Sequence, residues 1–590
     1  LDRPDQSAKD IPEPQPETLI PAAMELIPSV EPPSPHTSSN LQSKASPARY
    51  IVTPVDIETP ETPEMDLASD RKIYITDDRT GLAQAIADRL GQRGYNTVLV
   101  SMDILNFKPE LPPACGLVLT FNAEAADADA ELDHAFRLTR YLAPGLVASA
   151  VDGGAIFTSV SRLDGVFGLE RIASAAPQQG ALAGLVKTAA LEWQDVCCHA
   201  VDIDPQWKDL KAAAGAIVET MLHPGPVEVG LKKNRRSTLS LTKSPCAEGD
   251  LLLNEDDVVV ISGGARGVTA AAALEISRQV RPNLILLGRS DKPDTEPDWL
   301  KDLVEEKDIK AAILENGYSD TNVSPVQLEA FYRKVMAARE INSTIDQLRE
   351  HTTAVTYIPV DVRDGDALNE VIQSVRSQHG PIAAVIHGAG VLEDKLIVDK
   401  SQEQYRAVYD TKVKGLQNLL RAVAEDHLKY LVLFSSVTAR MGNKGQADYA
   451  MANEVLNKMA QREAEHRIGC RVLSVNWGPW EGGMVTDALK REFTRQGVSL
   501  ISLPEGARSL VEEMGNPDDS QIEVIVGGPL YSDSVATGMP ESAVSGAGRG
   551  RGGGVGGGCG GGVGGGGGGR WVCGVGGGGA GGGGGLSGGG

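Results

Sequence analysis

One stretch limits the possible folds more than any other. The run Asp257-Val258-Val259-Val260-Ile261 passes into Ser262-Gly263-Gly264-Ala265-Arg266-Gly267-Val268-Thr269 and then into the alanine-rich segment 270–280. The β-branched run reads as a strand buried on both faces, and the alanine-rich segment as a helix. Glycines at a strand-to-helix turn let backbone N–H groups approach an anion, and the helix N-terminus adds favourable partial charge. The pattern predicts a parallel α/β sheet with a dinucleotide held at Gly263, Gly264, Arg266, Gly267 and Val268.

The rest of the chain alternates in the same way. Residues 72–76, 97–100, 116–120 and 154–158 read as buried strands, with helical stretches at 129–142 and 181–194. A second series of strands follows the glycine turn, near 284–287, 355–360, 383–387, 430–434 and 471–476. Ala155-Ile156-Phe157-Thr158-Ser159-Val160 echoes Val432-Leu433-Phe434-Ser435-Ser436-Val437, which points to an internal duplication. The expected fold is therefore α/β, with two side-by-side, Rossmann-like, doubly wound parallel sheets and disordered termini. The expected boundaries are a proline-rich linker over 1–70, a first unit over 71–250, a second over 251–535 and a glycine-rich tail over 536–590. A helical insertion over 291–350 has no legible role.

Composition narrows the function. The 590 residues carry a net charge of −23, so general phosphate-backbone binding is disfavoured and no nucleic-acid partner is expected. The glycine tail holds only Arg549, Arg551 and Arg570 as cations, too few to alter that. No apolar run is long enough to span a bilayer. Seven cysteines without a CxxC pair point to a reducing, cytoplasmic setting and no metal site. The chain starts at Leu1 rather than Met, which is expected of an internal piece of a longer polypeptide.

The second unit carries the chemistry. Its second strand ends in Gly288-Arg289-Ser290, where an acid would bind the ribose of NAD and an arginine suits the 2′-phosphate of NADPH. Asp361-Val362 follows the next strand, with the carboxylate placed for an adenine amino group. His387-Gly388-Ala389-Gly390 then supplies small residues for close approach. Ser436 closes a strand, Tyr449 follows thirteen residues later, and Asn453 lies one helical turn beyond it. With Lys412 upstream, these offer a hydroxyl, a phenol and an ammonium, a set suited to reducing a carbonyl.

The second unit, with its Ser262–Thr269 turn and His387-Gly388-Ala389-Gly390-Val391-Leu392, resembles the ketoreductase domain of modular polyketide and polyunsaturated fatty acid synthases. That domain belongs to the short-chain dehydrogenase/reductase superfamily. The first unit is similar to the non-catalytic structural subdomain of these enzymes, through Ala183-Gly184-Leu185-Val186-Lys187-Thr188 and Glu192-Trp193. The resemblance implies that Tyr449 donates a proton, Ser436 binds the carbonyl, and Asn453 supports a proton relay. Lys412 would hold the nicotinamide ribose and lower the tyrosine pKa, with Lys414 as the competing candidate. Gly478 and Pro479 would sit on the nicotinamide side, and Gly482-Gly483-Met484 would begin a mobile segment over the acyl chain.

The implied reaction is NADPH-dependent reduction of a β-ketoacyl thioester. Its implied partners are acyl carrier protein domains bearing phosphopantetheine, with other synthase domains in cis. Leu392-Glu393-Asp394 stands where relatives giving the D (3R) alcohol carry Leu-Asp-Asp, and Thr269 replaces the usual third glycine. Two other readings fit the same residues, a catalytically silent NADPH-binding scaffold and a free-standing ketone reductase. The first unit should be structural: its turn Thr76-Asp77-Asp78-Arg79-Thr80-Gly81 has two acids that repel phosphate, and no tyrosine lies between Tyr141 and Tyr318.

Overall fold

The computed structural model describes residues 47–528, apart from 123–124, 171, 173–175, 293–294, 318–322, 353, 484, 486 and 496–497. Most of the expected linker, the glycine-rich tail and Met484 lie outside the described residues.

The first strand, β1 (Ala48–Asp56), precedes both units. The first unit supplies β2 (Lys72–Thr76), β3 (Thr97–Val100), β4 (Ala114–Thr120), β5 (Ala155–Ser161), β6 (Val196–Ile203), β7 (Glu228–Lys232) and β8 (Arg235–Lys243). The second supplies β9 (Val258–Ser262), β10 (Asn283–Gly288), β11 (Val355–Pro359), β12 (Ile382–His387), β13 (Tyr430–Ser436), β14 (Arg471–Trp477) and β15 (Glu523–Gly527). Strands β9 to β15 are parallel in the order β11-β10-β9-β12-β13-β14-β15. Strands β2 to β7 are parallel in the order β3-β2-β4-β5-β6-β7, with β8 antiparallel on β7. The two orders superpose strand for strand except that β11 has no counterpart in the first unit.

Two expectations are corrected. The sheets are not separate: β1 pairs antiparallel with both β15 and β8, so one sheet of 15 strands runs through the described residues. Residues 48–56 are accordingly a strand and not linker. Pro54 hides it in the sequence, since proline lacks the N–H that a ladder needs. In the fold, Pro54 lies beyond the stretch that pairs with β15 and faces only β8.

Packing between the units centres on two helices that occupy matching places, 180–192 and 447–466. Gly184 lies against the backbone of Ala450, where an added Cβ would stand 2.7 Å from the carbonyl carbon. The first unit thereby seats the helix that carries Tyr449. The insertion forms helices Glu306–Asn316 and Pro325–Arg349, the second started by a capping box between Ser324 and Gln327.

Candidate active site

Strand order reverses between β9 and β12, and in open α/β sheets a ligand crevice lies outside the carboxyl ends at that point. Gly263 sits there with φ +74°, and a Cβ on it would be 3.2 Å from Ala389 N and from Gly388. Gly267 opens the helix Gly267–Val280 with φ +59°. Thr269 does not face the crevice. It is buried and packs on the backbone of Gly388, which has no side chain to oppose it. The departure from the usual third glycine is thus absorbed by helix–loop packing.

At the matching place in the first unit the crevice is stitched shut. The Thr76 hydroxyl donates to Thr120 O at 3.0 Å and accepts from Thr120 N at 2.7 Å. Asp78 is buried, and its carboxylate accepts the Ala83 N–H at 3.1 Å, so the helix N-terminus already holds an anion. That half has neither the room nor the potential for a diphosphate.

In the second unit a cleft of about 1860 Å³ takes in every expected cofactor residue except Gly264 and Asp361, together with Lys412, Ser436 and Tyr449. Gly264 instead has its Cβ direction filled by Ile261 and Leu286. Asp361 is held by Arg363, whose Nη2 donates to Oδ2 at 2.6 Å. Hydrogen bonding from Arg363 keeps that carboxyl below its ordinary range. Arg289 is exposed on the cleft and makes no ion pair among the described residues. The glycine cradle, the helix-end donors and this arginine fit a dinucleotide with a 2′-phosphate.

The chemistry residues arrive from three elements. Ser436 ends β13 and caps the next short helix, accepting Thr438 N at 3.2 Å and donating to Thr438 Oγ1 at 3.1 Å. Tyr449 lies in the first turn of helix Ala447–His466, and Asn453 one turn on donates through Nδ2 to Tyr449 O at 2.8 Å. Asn453 Oδ1 is buried without a partner. Lys412 sits in a single π-helical turn, Asp410–Lys414, a local widening often found at functional sites. This turn separates the two candidate lysines. Lys412 is 3% exposed and donates to Phe434 O at 2.9 Å, whereas Lys414 faces outward to Asp410 at 3.3 Å.

Electrostatics here depart from what the resemblance implies. Burial pushes Lys412 down to about 7. Burial also drives Tyr449 up to about 12, although hydrogen bonds from Asn453 and Ser436 draw it down and Asp394 raises it further. Lys412 Nζ stands 5.1 Å from the centre of the tyrosine ring, over its face, and does not depress the phenol. Desolvation of both groups outweighs their mutual attraction.

Several supporting contacts escape the sequence. Buried His387 meets Ser262 Oγ at 2.8 Å through Nδ1 and reaches Lys412 O at 2.9 Å through Nε2. A carbonyl only accepts, so Nε2 carries the proton and Nδ1 accepts the serine O–H. Burial and Lys412 hold this imidazole neutral, with its pKa lowered to about 3. Asp448 is paired with fully buried Lys400 at 2.6 Å and accepts the Tyr449 N–H at 2.9 Å. From the first unit, Glu192 accepts Ile397 N at 2.8 Å and Gly445 N at 2.9 Å, clamping two loops of the cleft. Leu392 and Asp394 line the cleft, whereas Glu393 turns to Gln404 at 3.3 Å, so that departure lies outside it. The motif neighbours His387 and Asp448 are visible signals; Lys400 and Glu192 have none.

Residues 258–482 match the family model described as KR domain. This part of the chain belongs to the ketoreductase (KR) domain family. One subunit of the polyunsaturated fatty acid synthase of Thraustochytrium sp. is 33% identical to the ketoreductase chain over 429 residues, covering 70% of this chain and 15% of that protein. Polyketide synthase PksN of Bacillus subtilis is 28% identical over 352 residues, covering 58% of this chain and 6% of its own length. The chain therefore spans a small part of the curated relatives it matches. An A-type ketoreductase structure from a modular polyketide synthase aligns with TM-score 0.63 and 21% identity, over 84% of this chain and 98% of that one. A ketoreductase domain from the bacillaene assembly line aligns with TM-score 0.59 and 20% identity, over 83% and 100%. These alignments extend well beyond residues 258–482, so the structural likeness takes in both units of the ketoreductase fold.

Proposed function

We propose that this ketoreductase reduces a β-ketoacyl thioester, carried on the phosphopantetheine arm of an acyl carrier protein, to the D (3R) β-hydroxyacyl thioester, with NADPH as reductant. The supporting observation is that Tyr449, Ser436 and Lys412 meet in the cleft that also holds the glycine turn and Arg289. Gly263, Gly267, Gly388 and Arg289 would hold the dinucleotide, whose nicotinamide supplies a hydride when bound. The Tyr449 phenol hands its proton to the substrate oxygen, so carbon gains the hydride and oxygen the proton. Ser436 swings its hydroxyl from Thr438 to the same oxygen and steadies the charge that develops there. Asn453 Oδ1, lacking a partner, is free to accept a bond from a proton relay that recharges Tyr449. Lys412 positions the ribose side and anchors the end of β13 through Phe434 O.

The setting we propose is cytoplasmic, within a longer synthase. Unpaired Cys115, Cys197, Cys198, Cys246 and Cys470 are in keeping with it, and among the described residues no helix is long and apolar enough to cross a membrane.

The test is oxidation of NADPH by the full chain with a β-ketoacyl thioester on a carrier domain; absence of turnover would overturn the proposal. The choice of NADPH has its own test. Arg289→Ser removes one charge-assisted contact to the 2′-phosphate, so the ratio of kcat/KM for NADPH over NADH should fall about 10- to 100-fold. An unchanged ratio would assign Arg289 no part in cofactor choice.

A further inference from the structure

The insertion reaches the cofactor turn through one side chain. Glu340, on helix Pro325–Arg349, accepts the backbone N–H of Gly267 at 2.8 Å through Oε1 and Arg266 Nε at 2.7 Å through Oε2. Gly267 is the first residue of its helix, so its N–H has no intrahelical partner. Arg266, at the cap position, offers no side-chain acceptor either. Glu340 is therefore the anion at this helix N-terminus, and it takes the same donors that a dinucleotide's diphosphate takes at such a turn. The first unit shows the same arrangement at its matching helix, where Asp78 fills the position.

The two cases differ in how firmly the carboxylate is held. Asp78 is 2% exposed, whereas the Glu340 side chain is 42% exposed and that of Arg266 51%. The helix bearing Glu340 is anchored one residue earlier: Arg339 donates to Glu296, Leu300 O and Leu303 O at 2.8, 2.6 and 2.7 Å. Release of the turn thus needs only a rotation of the Glu340 side chain, with the helix staying in place.

We propose that Glu340 is an internal competitor for the cofactor's diphosphate. Bound NADPH displaces the carboxylate from Gly267 and Arg266, so the residue weakens cofactor affinity and eases release of the spent nucleotide. The inference rests on the reading of the 262–269 turn as the dinucleotide site.

Calorimetric titration of the full chain with NADPH tests it, comparing wild type, Glu340→Gln and Glu340→Ala. Both variants should bind NADPH about 3- to 30-fold more tightly, the range expected for one charge at a helix N-terminus. Adenosine 2′-monophosphate, which has no diphosphate, should bind all three proteins alike. Unchanged or weaker NADPH binding by the variants, or equal tightening toward adenosine 2′-monophosphate, would overturn the role of Glu340 and leave the cofactor site standing. Failure of all three proteins to bind NADPH would overturn the cofactor reading and this inference with it.

Discussion

Replacing Tyr449 by phenylalanine should lower kcat for a β-ketoacyl thioester by about 100- to 10,000-fold, the range for loss of a general acid. The substitution removes one oxygen and keeps the ring, so the first turn of helix Ala447–His466 and the Lys412 ammonium over the ring face stay in place. NADPH affinity and the thermal unfolding midpoint should remain near wild type, which separates lost chemistry from lost structure. Burial holds the phenol protonated, at about 12, throughout the neutral range, so it is poised to give a proton and not to take one. The reverse oxidation, which needs the phenolate, should accelerate with rising pH in wild type and lose that dependence in Tyr449→Phe. An undiminished reduction rate in the variant would remove Tyr449 from the mechanism.

The largest expected effect on stability lies behind the same helix. Lys187 donates to Glu228 at 2.7 Å and to Glu454 at 2.5 Å, and Arg440 Nη2 donates to both carboxylates at 2.6 Å. Lys458 and Arg440 each stand 3.4 Å from Glu523. Three cations thus face three carboxylates in the interior where the units meet. Glu454→Gln leaves the three cations with two carboxylates and should lower unfolding free energy by about 3–5 kcal/mol. Burial alone would raise the Glu454 pKa, but Arg440, Lys187 and Lys458 outweigh it and the carboxyl is depressed.

A depressed acid stabilises the fold above its unfolded pKa, and that contribution is lost as pH falls through the folded value. Wild type should therefore lose stability steeply on acidification, and Glu454→Gln less so. Urea titrations across an acid series measure both effects. Adding Lys187→Met to Glu454→Gln restores charge balance and should recover part of the loss; a double variant no better than the single one would argue against a charge-balanced network.

Legibility followed distance along the chain. The glycine turn, Arg289 at the end of its strand, and the spacing of Ser436, Tyr449 and Asn453 all lie within single strand–turn–helix units. The fold brings the turn, Arg289, Ser436 and Tyr449 onto one cleft, with Asn453 bonded to the backbone of Tyr449. Asp361 stands apart from the cleft lining because Arg363, two residues on, takes its carboxylate. Lys412 is separated from Lys414 only by the π turn, whose extra residue per turn no hydropathy pattern discloses. Glu340, Glu192 and Lys187 act on groups 73, 205 and 267 residues away, and nothing local marks them.

The amino-acid sequence by itself determined the α/β class, the duplicated strand order, the dinucleotide turn and the reductive set, because strand and helix periodicity and glycine turns are properties of neighbouring residues. Tertiary structure alone decided three further things. β1 welds two sheets into one, through a strand whose proline disguises it. The first unit's turn is filled by its own aspartate and the second's by a distant glutamate. Tyr449 and Lys412 are desolvated together, so their pKa values move opposite to the direction that their proximity suggests. Each depends on which surfaces are brought together and on how much water they exclude, and long-range packing sets both.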